Sequence, residues 1–215
     1  KMSQDILIWD YNIQFANPVS PFPNLHTIGP NIKFYIQNNV RALFMQATGN
    51  KGEFAHLRAY LITKLMWNPN ADPNAIIYDF LDGYYGKAAI PILNYIESMR
   101  EALLNDNFRL NIFGDPRDAV KNYLAPNMMI HYNHLFDEAE KAVLDDEQKL
   151  TRVKEARLPL LIAEIQIAGQ IPVGEKGSFY KIDDNGNVIP KPYMKKKVEE
   201  FVASAKKAGI QRIGE

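Results

Sequence analysis

The chain has 215 residues, 25 lysines and arginines balanced by 25 aspartates and glutamates, and no cysteine. That balance leaves no broad field to attract nucleic acid or an anionic membrane, and the missing cysteines exclude disulfides, thiolate metal sites and thiol nucleophiles. No apolar run approaches the roughly 18 residues that a spanning helix needs, and the start lacks the basic-then-apolar pattern of a signal peptide.

Residues 5–9 (DILIW) are a short apolar run bounded by polar residues and read as a buried strand. Trp9, Asp10, Tyr11 and Asn12 stand at its C-terminal end. Residues 13–30, with prolines at 18, 21, 23 and 30, read as a long loop. Such loops are usually functional or disordered, and Phe15, Phe22 and His26 argue against disorder. A helix over 31–39 and a strand over 40–46 (VRALFMQ) follow. Strand, connection with helix, strand describes a βαβ unit with two parallel strands. A two-stranded parallel sheet leaves edges and faces that normally need neighbours. The strands are therefore expected to belong to a larger sheet, most simply the last part of a (β/α)8 barrel. The alternatives are a small α+β domain covered by its own helices, or a dimer that completes the sheet.

From Gly52 the pattern turns helical. Phe54, Leu57, Leu61 and Leu65 fall at helical spacing, flanked by Tyr60 and Trp67, and the run breaks before Pro69. Asp72 reads as an N-cap with Pro73 at the first helical position. This second helix turns Ile76, Ile77, Phe80 and Leu81 inward and is expected to stop at Gly83. Further helices are predicted over 88–104, 127–144 and 147–166, the last kinked at Pro159, with a short one over 118–124 broken at Pro126. The loop 105–116 has room for a short extended piece. Asp183 to Asn187 reads as a turn closing a small hairpin between 179–181 and 188–189. A final amphipathic helix over 192–208 ends at Gly209 as C′.

Several of these stretches carry a resemblance. GEFAHLRAYLITKLMWNPNAD, FLDGYYGKAA, WDYN, PFPNL and VRALFMQ, taken together, resemble a family of uncharacterised, glycoside-hydrolase-like domains of bacterial secreted proteins. The similarity spans residues 5–105 well and the rest loosely. It implies a barrel followed by helices, a carbohydrate partner and a periplasmic or extracellular setting for the parent protein.

The residues offer candidates for that chemistry. A carboxylate beside two aromatic faces suits a sugar: Trp9 and Tyr11 stack on a pyranose while Asp10 takes its hydroxyls, at the functional end of a parallel sheet. The plainer alternative packs Trp9 in a core and has Asp10 cap a turn. Gln46 ends the second strand. Glu53 follows the glycine-rich TGNKGE and either accepts sugar hydroxyls or favours the positive end of the helix beginning there. Gly49 and Gly52 form no phosphate loop, for want of its Lys-Ser/Thr ending. Glycoside hydrolysis needs two facing carboxylates, and only Asp10 and Glu53 stand near strand ends, so the catalytic pair is expected to be incomplete here and catalytic residues stay unassigned. His131 and His134 have a metal-compatible spacing but no evident third ligand, and the 183–187 run lacks the closing glutamate of a calcium loop. No metal or cofactor is expected.

The expected fold is α+β and mostly α. A βαβ remnant of a (β/α)8-type barrel occupies residues 1–52, and a helical bundle occupies 53–215, irregular at 169–192. The expected role is the carbohydrate-binding, C-terminal portion of a glycoside-hydrolase-like protein, completed by the N-terminal remainder of its parent or by a second chain. The rival is a non-catalytic helical interaction module using its tyrosines and the segment at Met128 and Met129.

Overall fold

The computed structural model describes residues 5–46, 52–211 and 213. Most of the glycine-rich stretch before Glu53, Gly49 included, lies outside the described residues. In chain order the elements are β1 (Ile6–Tyr11), α1 (Leu25–Gln37), β2 (Val40–Gln46), α2 (Ala55–Trp67), α3 (Pro73–Tyr85), α4 (Ala89–Asn105), α5 (Pro126–Ala142), α6 (Glu147–Gln170), β3 (Tyr180–Ile182), β4 (Val188–Pro190) and α7 (Pro192–Lys207). The fold is α+β and mostly helical. Among the described residues no helix is long and apolar enough to cross a membrane.

β1 and β2 pair in parallel, with Ile8 opposite Leu43, Trp9 opposite Phe44, Asp10 opposite Met45 and Tyr11 opposite Gln46. Side chains alternate across a strand, so the pair has two unlike faces. Leu43 and Met45 pack against the main core. Leu7, Trp9, Tyr11 and Phe44 point the other way and are exposed. Among the described residues the pair makes a two-stranded sheet.

The main core runs from α1 through α6: Leu25, Ile28 and Ile32 meet Leu57, Leu61 and Leu65 of α2, and the cluster continues through Leu81, Ile92, Tyr95, Tyr132, Phe136, Val153 and Leu160. It thus draws on residues both before and after position 52. A smaller cluster joins Val19 to Leu158 and Ile162 of α6 and to Phe201 and Ala205 of α7.

Several boundaries differ from the sequence expectation, each for a physical reason. α1 begins at Leu25 rather than at 31 and carries Pro30 inside it. An interior proline costs about 3 kcal/mol, whereas fully burying Leu25, Ile28 and Ile32 gains about 1.5–3 kcal/mol each, so packing wins. α1 also seats its Gly29 against α3, where a Cβ would stand 2.7 Å from Pro73 Cγ. α3 runs past Gly83 and ends where Gly86 takes φ +57. A helical glycine costs only about 1 kcal/mol, and carrying on buries Tyr85. The 118–124 stretch is a 3-10 turn over Pro116–Ala119 followed by turns, because Asp115 and Asp118 form a reciprocal capping box around it. Pro126 opens α5 at its first position, where its missing N–H costs nothing. No strand forms within 105–116. The hairpin of β3 and β4 is antiparallel, and Asp72 caps α3 by accepting from the Asn74 backbone N–H at 3.0 Å. Trp67, placed beside the α2 stripe, is instead 91% exposed.

The long connection from Asn12 to Asn24 is ordered by polar contacts to the helical part. Phe15 N–H donates to the Ile112 carbonyl at 2.7 Å. Gln14 Nε2 donates to Gly114 O at 2.8 Å, and Gln166 of α6 donates to Asn17 Oδ1 at 3.0 Å. Asn12, Gln14, Asn17, Ser20 and Asn24 are all buried. A buried loop is viable only when its polar groups find such partners.

Candidate functional site

The five residues expected to meet a sugar separate into three places. Trp9, Tyr11 and Gln46 share the bare face of the strand pair. Trp9 Nε1 donates to Gln46 Oε1 at 2.6 Å, which orients the indole along the strand ends. The rings form a continuous strip: Phe44 stands edge-on to Trp9 with centroids 5.0 Å apart, Trp9 stacks with Tyr11 at 6.4 Å, Tyr11 meets Phe15 at 5.1 Å, and Phe15 meets Phe113 at 6.3 Å. Trp9 is 58% exposed and Phe113 is 68% exposed. Aromatic faces open to water at the C-terminal ends of parallel strands can stack on an apolar ligand face while Gln46 and the indole N–H supply polar contacts.

Asp10 lies on the opposite face, because its neighbours in the strand alternate with it. Its Oδ1 accepts the Tyr11 backbone N–H at 2.8 Å, and the carboxylate also interacts with the Tyr35 hydroxyl. The carboxylate sits close to Tyr35 of α1, whose phenol is pushed up to about 12 by burial and by that charge. Asp10 thus does not share a face with the rings of Trp9 and Tyr11: the alternation of the strand sends it under the sheet.

Glu53 stands apart from both. It does not open onto the strand ends but is buried at the start of α2, 7% exposed. Phe54, the N-cap residue of α2, takes φ +45, an uncommon conformation for a residue other than Gly, Asn or Asp. Glu53 Oε2 accepts from Arg58 Nη2 at 2.9 Å. Arg58, 1% exposed, also reaches Asn24 Oδ1 and, at 3.4 Å, the Phe22 carbonyl. Burial pushes Glu53 up to about 7, against the opposing pull of Arg58 and of the Phe22 backbone. Burial likewise pulls Arg58 down from its usual value.

Beside this pair lies a cavity of about 80 Å³, lined by Phe22, Pro23, His26, Glu53, Tyr95 and Met99 among others. Tyr95 is 1% exposed and its hydroxyl has no partner. Its phenol is raised well above the usual value, first by burial and then by the Glu53 charge. His26 is lowered by burial and by the nearby Arg100. Arg58, Asn24 and Tyr95 were missed in the sequence. The available signal was Arg58 itself, a cation at i+4 from Phe54 and i−3 from Leu61 on the buried side of a helix.

The histidines of α5 do not assemble a metal centre. His131 Nε2 lies 3.2 Å from Ser98 Oγ, and His134 faces Glu138 at 3.7 Å. Among the described residues no group of three or more potential ligands comes together. Met129 is buried in the core.

Against known families, residues 1–97, just under half of the chain, match the model described as a domain of unknown function (DUF4838). No curated protein and no solved structure matches the chain. The matched stretch takes in the strand pair, α1, α2, α3 and the first half of α4, so it holds both the aromatic strip at Trp9 and Tyr11 and the Glu53–Arg58 pair. What the match establishes is an uncharacterised domain over residues 1–97.

Proposed function

We propose that the strand-end surface binds glycans and that this chain is the binding, C-terminal portion of a glycoside-hydrolase-like protein of the periplasm or cell exterior. The observation that carries the reading is the exposed strip of Trp9, Tyr11 and Phe44 with Gln46 bridged to the indole. The rest of the barrel, supplied by the parent's N-terminal remainder or by a second chain, would pair with β1 and β2 and close over Leu7, leaving the strand-end rings open. The catalytic pair is read as incomplete in this portion: Asp10 faces α1 and Glu53 is held by Arg58, so neither flanks a bond lying on the rings.

The test is binding of a panel of neutral and acidic glycans to the chain, with Trp9→Ala and Tyr11→Ala alongside. Both substitutions are at exposed positions, so folding is expected to survive them. Support is a glycan whose affinity falls about tenfold or more in each, the equivalent of about 1.4 kcal/mol. Failure of every glycan to bind, both here and on a chain extended upstream, would sink the reading. A helical interaction module is favoured by a different observation, the 91% exposed Trp67 beside exposed Met66 at the end of α2. That reading requires binding to be lost in Trp67→Ala and kept in Trp9→Ala.

A further inference from the structure

Phe113 is a large ring held in water away from the strand pair, on the loop that leads from α4 toward α5, and is 68% exposed. A lone exposed phenylalanine needs no explanation, but this one ends a contiguous row. Phe15 stands between it and Tyr11, with centroids 6.3 and 5.1 Å away, and contiguous exposed apolar surface marks a place where something binds. Main-chain bonds rather than packing fix the position of the ring. The Ile112 carbonyl accepts from Phe15 N–H at 2.7 Å and the Gly114 carbonyl accepts from Gln14 Nε2 at 2.8 Å, so the loop is tied to the connection after β1 on both sides of Phe113. Asn111 closes the loop on itself: its Oδ1 accepts Phe113 N–H at 3.0 Å and its carbonyl accepts Gly114 N–H at 2.9 Å. A ring held in this way is preorganised, and presenting it to a ligand costs little ordering entropy.

The rings of the row do not share one plane. Trp9 and Tyr11 lie within 27° of parallel and make one platform. Phe15 is half-buried and turned 78° from Tyr11, and Phe113 is tilted 42° from Phe15. Phe15 thus acts as a wedge that supports a ring on each side, and Phe113 is a second platform. Stacking needs a ring face laid against a flat ligand face. One sugar seated on Trp9 cannot also lie on Phe113, because two rings and a change of plane stand between them. A ligand that uses both platforms must carry a second apolar ring face farther along itself, which a chain of linked sugars does. Linkage also helps energetically, since the next sugar reaches its platform at a high effective concentration once the first is seated.

We propose that Phe113 is a second stacking subsite, and that the strand-end surface takes an oligosaccharide running from Trp9 and Tyr11 over Phe15 to the 111–114 loop rather than a single sugar. The proposal rests on the glycan reading above. It adds the length of the ligand and a binding residue from the helical part, beyond the matched residues 1–97.

The experiment titrates the whole chain by calorimetry with cello-, malto- and galacturono-oligosaccharides, each series running from the monosaccharide to the hexasaccharide. In a series that binds, affinity is expected to climb with length and then level off. Phe113→Ala should remove the last step of that climb, about threefold to tenfold for an aromatic contact, without lowering the affinity of the shortest member that binds. Trp9→Ala should weaken every member. Phe113→Tyr keeps the ring face and should keep the climb. Phe113→Leu keeps apolar bulk against Phe15 without the face and should lose it. The ring is exposed and its loop is closed by main-chain bonds, so each Phe113 variant should melt as the parent does. Affinity independent of length, a climb kept by Phe113→Ala or Phe113→Leu, or an equal loss for short and long members would overturn the proposal and leave the glycan reading standing. If no member of any series binds, here or on the chain extended upstream, the glycan reading itself has failed and this inference falls with it.

Discussion

The start of α2 and the strand pair each reverse the usual placement of their residues, in opposite directions. At α2 the chain draws a carboxylate and a guanidinium fully inside and supplies the partners itself: Arg58 for Glu53, and Asn24 and the Phe22 carbonyl for Arg58. At β1 and β2 it leaves large apolar side chains in water, with Leu7 at 65% and Phe44 at 51% exposure. Burial is decided by what stands opposite a side chain, not by its own polarity. The Phe22 loop and residues of α1 to α4 surround position 53, and nothing in the described chain covers the outer face of the strand pair.

The largest effect should come from breaking the closed region. Arg58→Met leaves Glu53 buried and unpaired, and should cost about 3–5 kcal/mol in urea unfolding. The double variant Glu53→Leu/Arg58→Met removes both charges and should recover most of that loss. A single variant within about 1 kcal/mol of the parent would mean that the pair does not organise this region.

The same pair makes stability depend on pH with a definite sign. The carboxyl of Glu53 lies at about 7 in the fold against an ordinary 4.5. Between those values the folded state holds more protons than the unfolded one, so this group's contribution is largest below about 4.5 and is lost as pH rises to about 7. The change amounts to at most about 3 kcal/mol, at about 1.4 kcal/mol per pH unit. His26 acts in the opposite sense, since its lowered value makes stability grow as pH rises toward 6.5. The difference between parent and Glu53→Gln stability curves removes His26 and isolates Glu53. A flat difference across that window would contradict the assignment.

Two glycines sharpen the contrast between packed and open positions. A Cβ on Gly29 would meet Pro73 Cγ at 2.7 Å, while one on Gly83 would meet nothing within 4 Å. Gly29→Ala should therefore cost about 1–3 kcal/mol by overpacking. Gly83→Ala should stabilise the protein by about 1 kcal/mol, the helix propensity gained. Thermal melts of the two variants should move in opposite directions.

Much of the architecture was legible because it rests on local signals. The apolar-rich run at 40–46 was read as β2, and Asp72 followed by Pro73 as the start of α3. The α1 boundary was not legible, since Pro30 is a strong local breaker and the compensating contacts of Leu25 and Ile28 are with α2 and α3. Of the site, Trp9, Tyr11 and Gln46 could be grouped from strand register. Asp10 could have been separated from them by the same period of two. Glu53 could not be placed: its inward turn depends on φ +45 at Phe54, which has no signature before the helix is packed, and Arg58 on the buried stripe of α2 signalled only that some partner must lie inside.

The smallest expected effect tests the open region directly. Trp9 hydrogen-bonds Gln46 and touches Phe44 across the strands, and cross-strand pairs of this kind contribute roughly 0.2–1 kcal/mol. Trp9→Ser should thus lower stability by less than about 1 kcal/mol, although a fully buried residue of that size would cost several times more. It should also reduce binding of an apolar dye, because the exposed strip of rings is interrupted. A loss above about 2 kcal/mol would show that the indole is packed in solution, by a second copy or by a segment folded over it. The strand face would then be an occupied interface, and the contrast with α2 would be one between two closed regions.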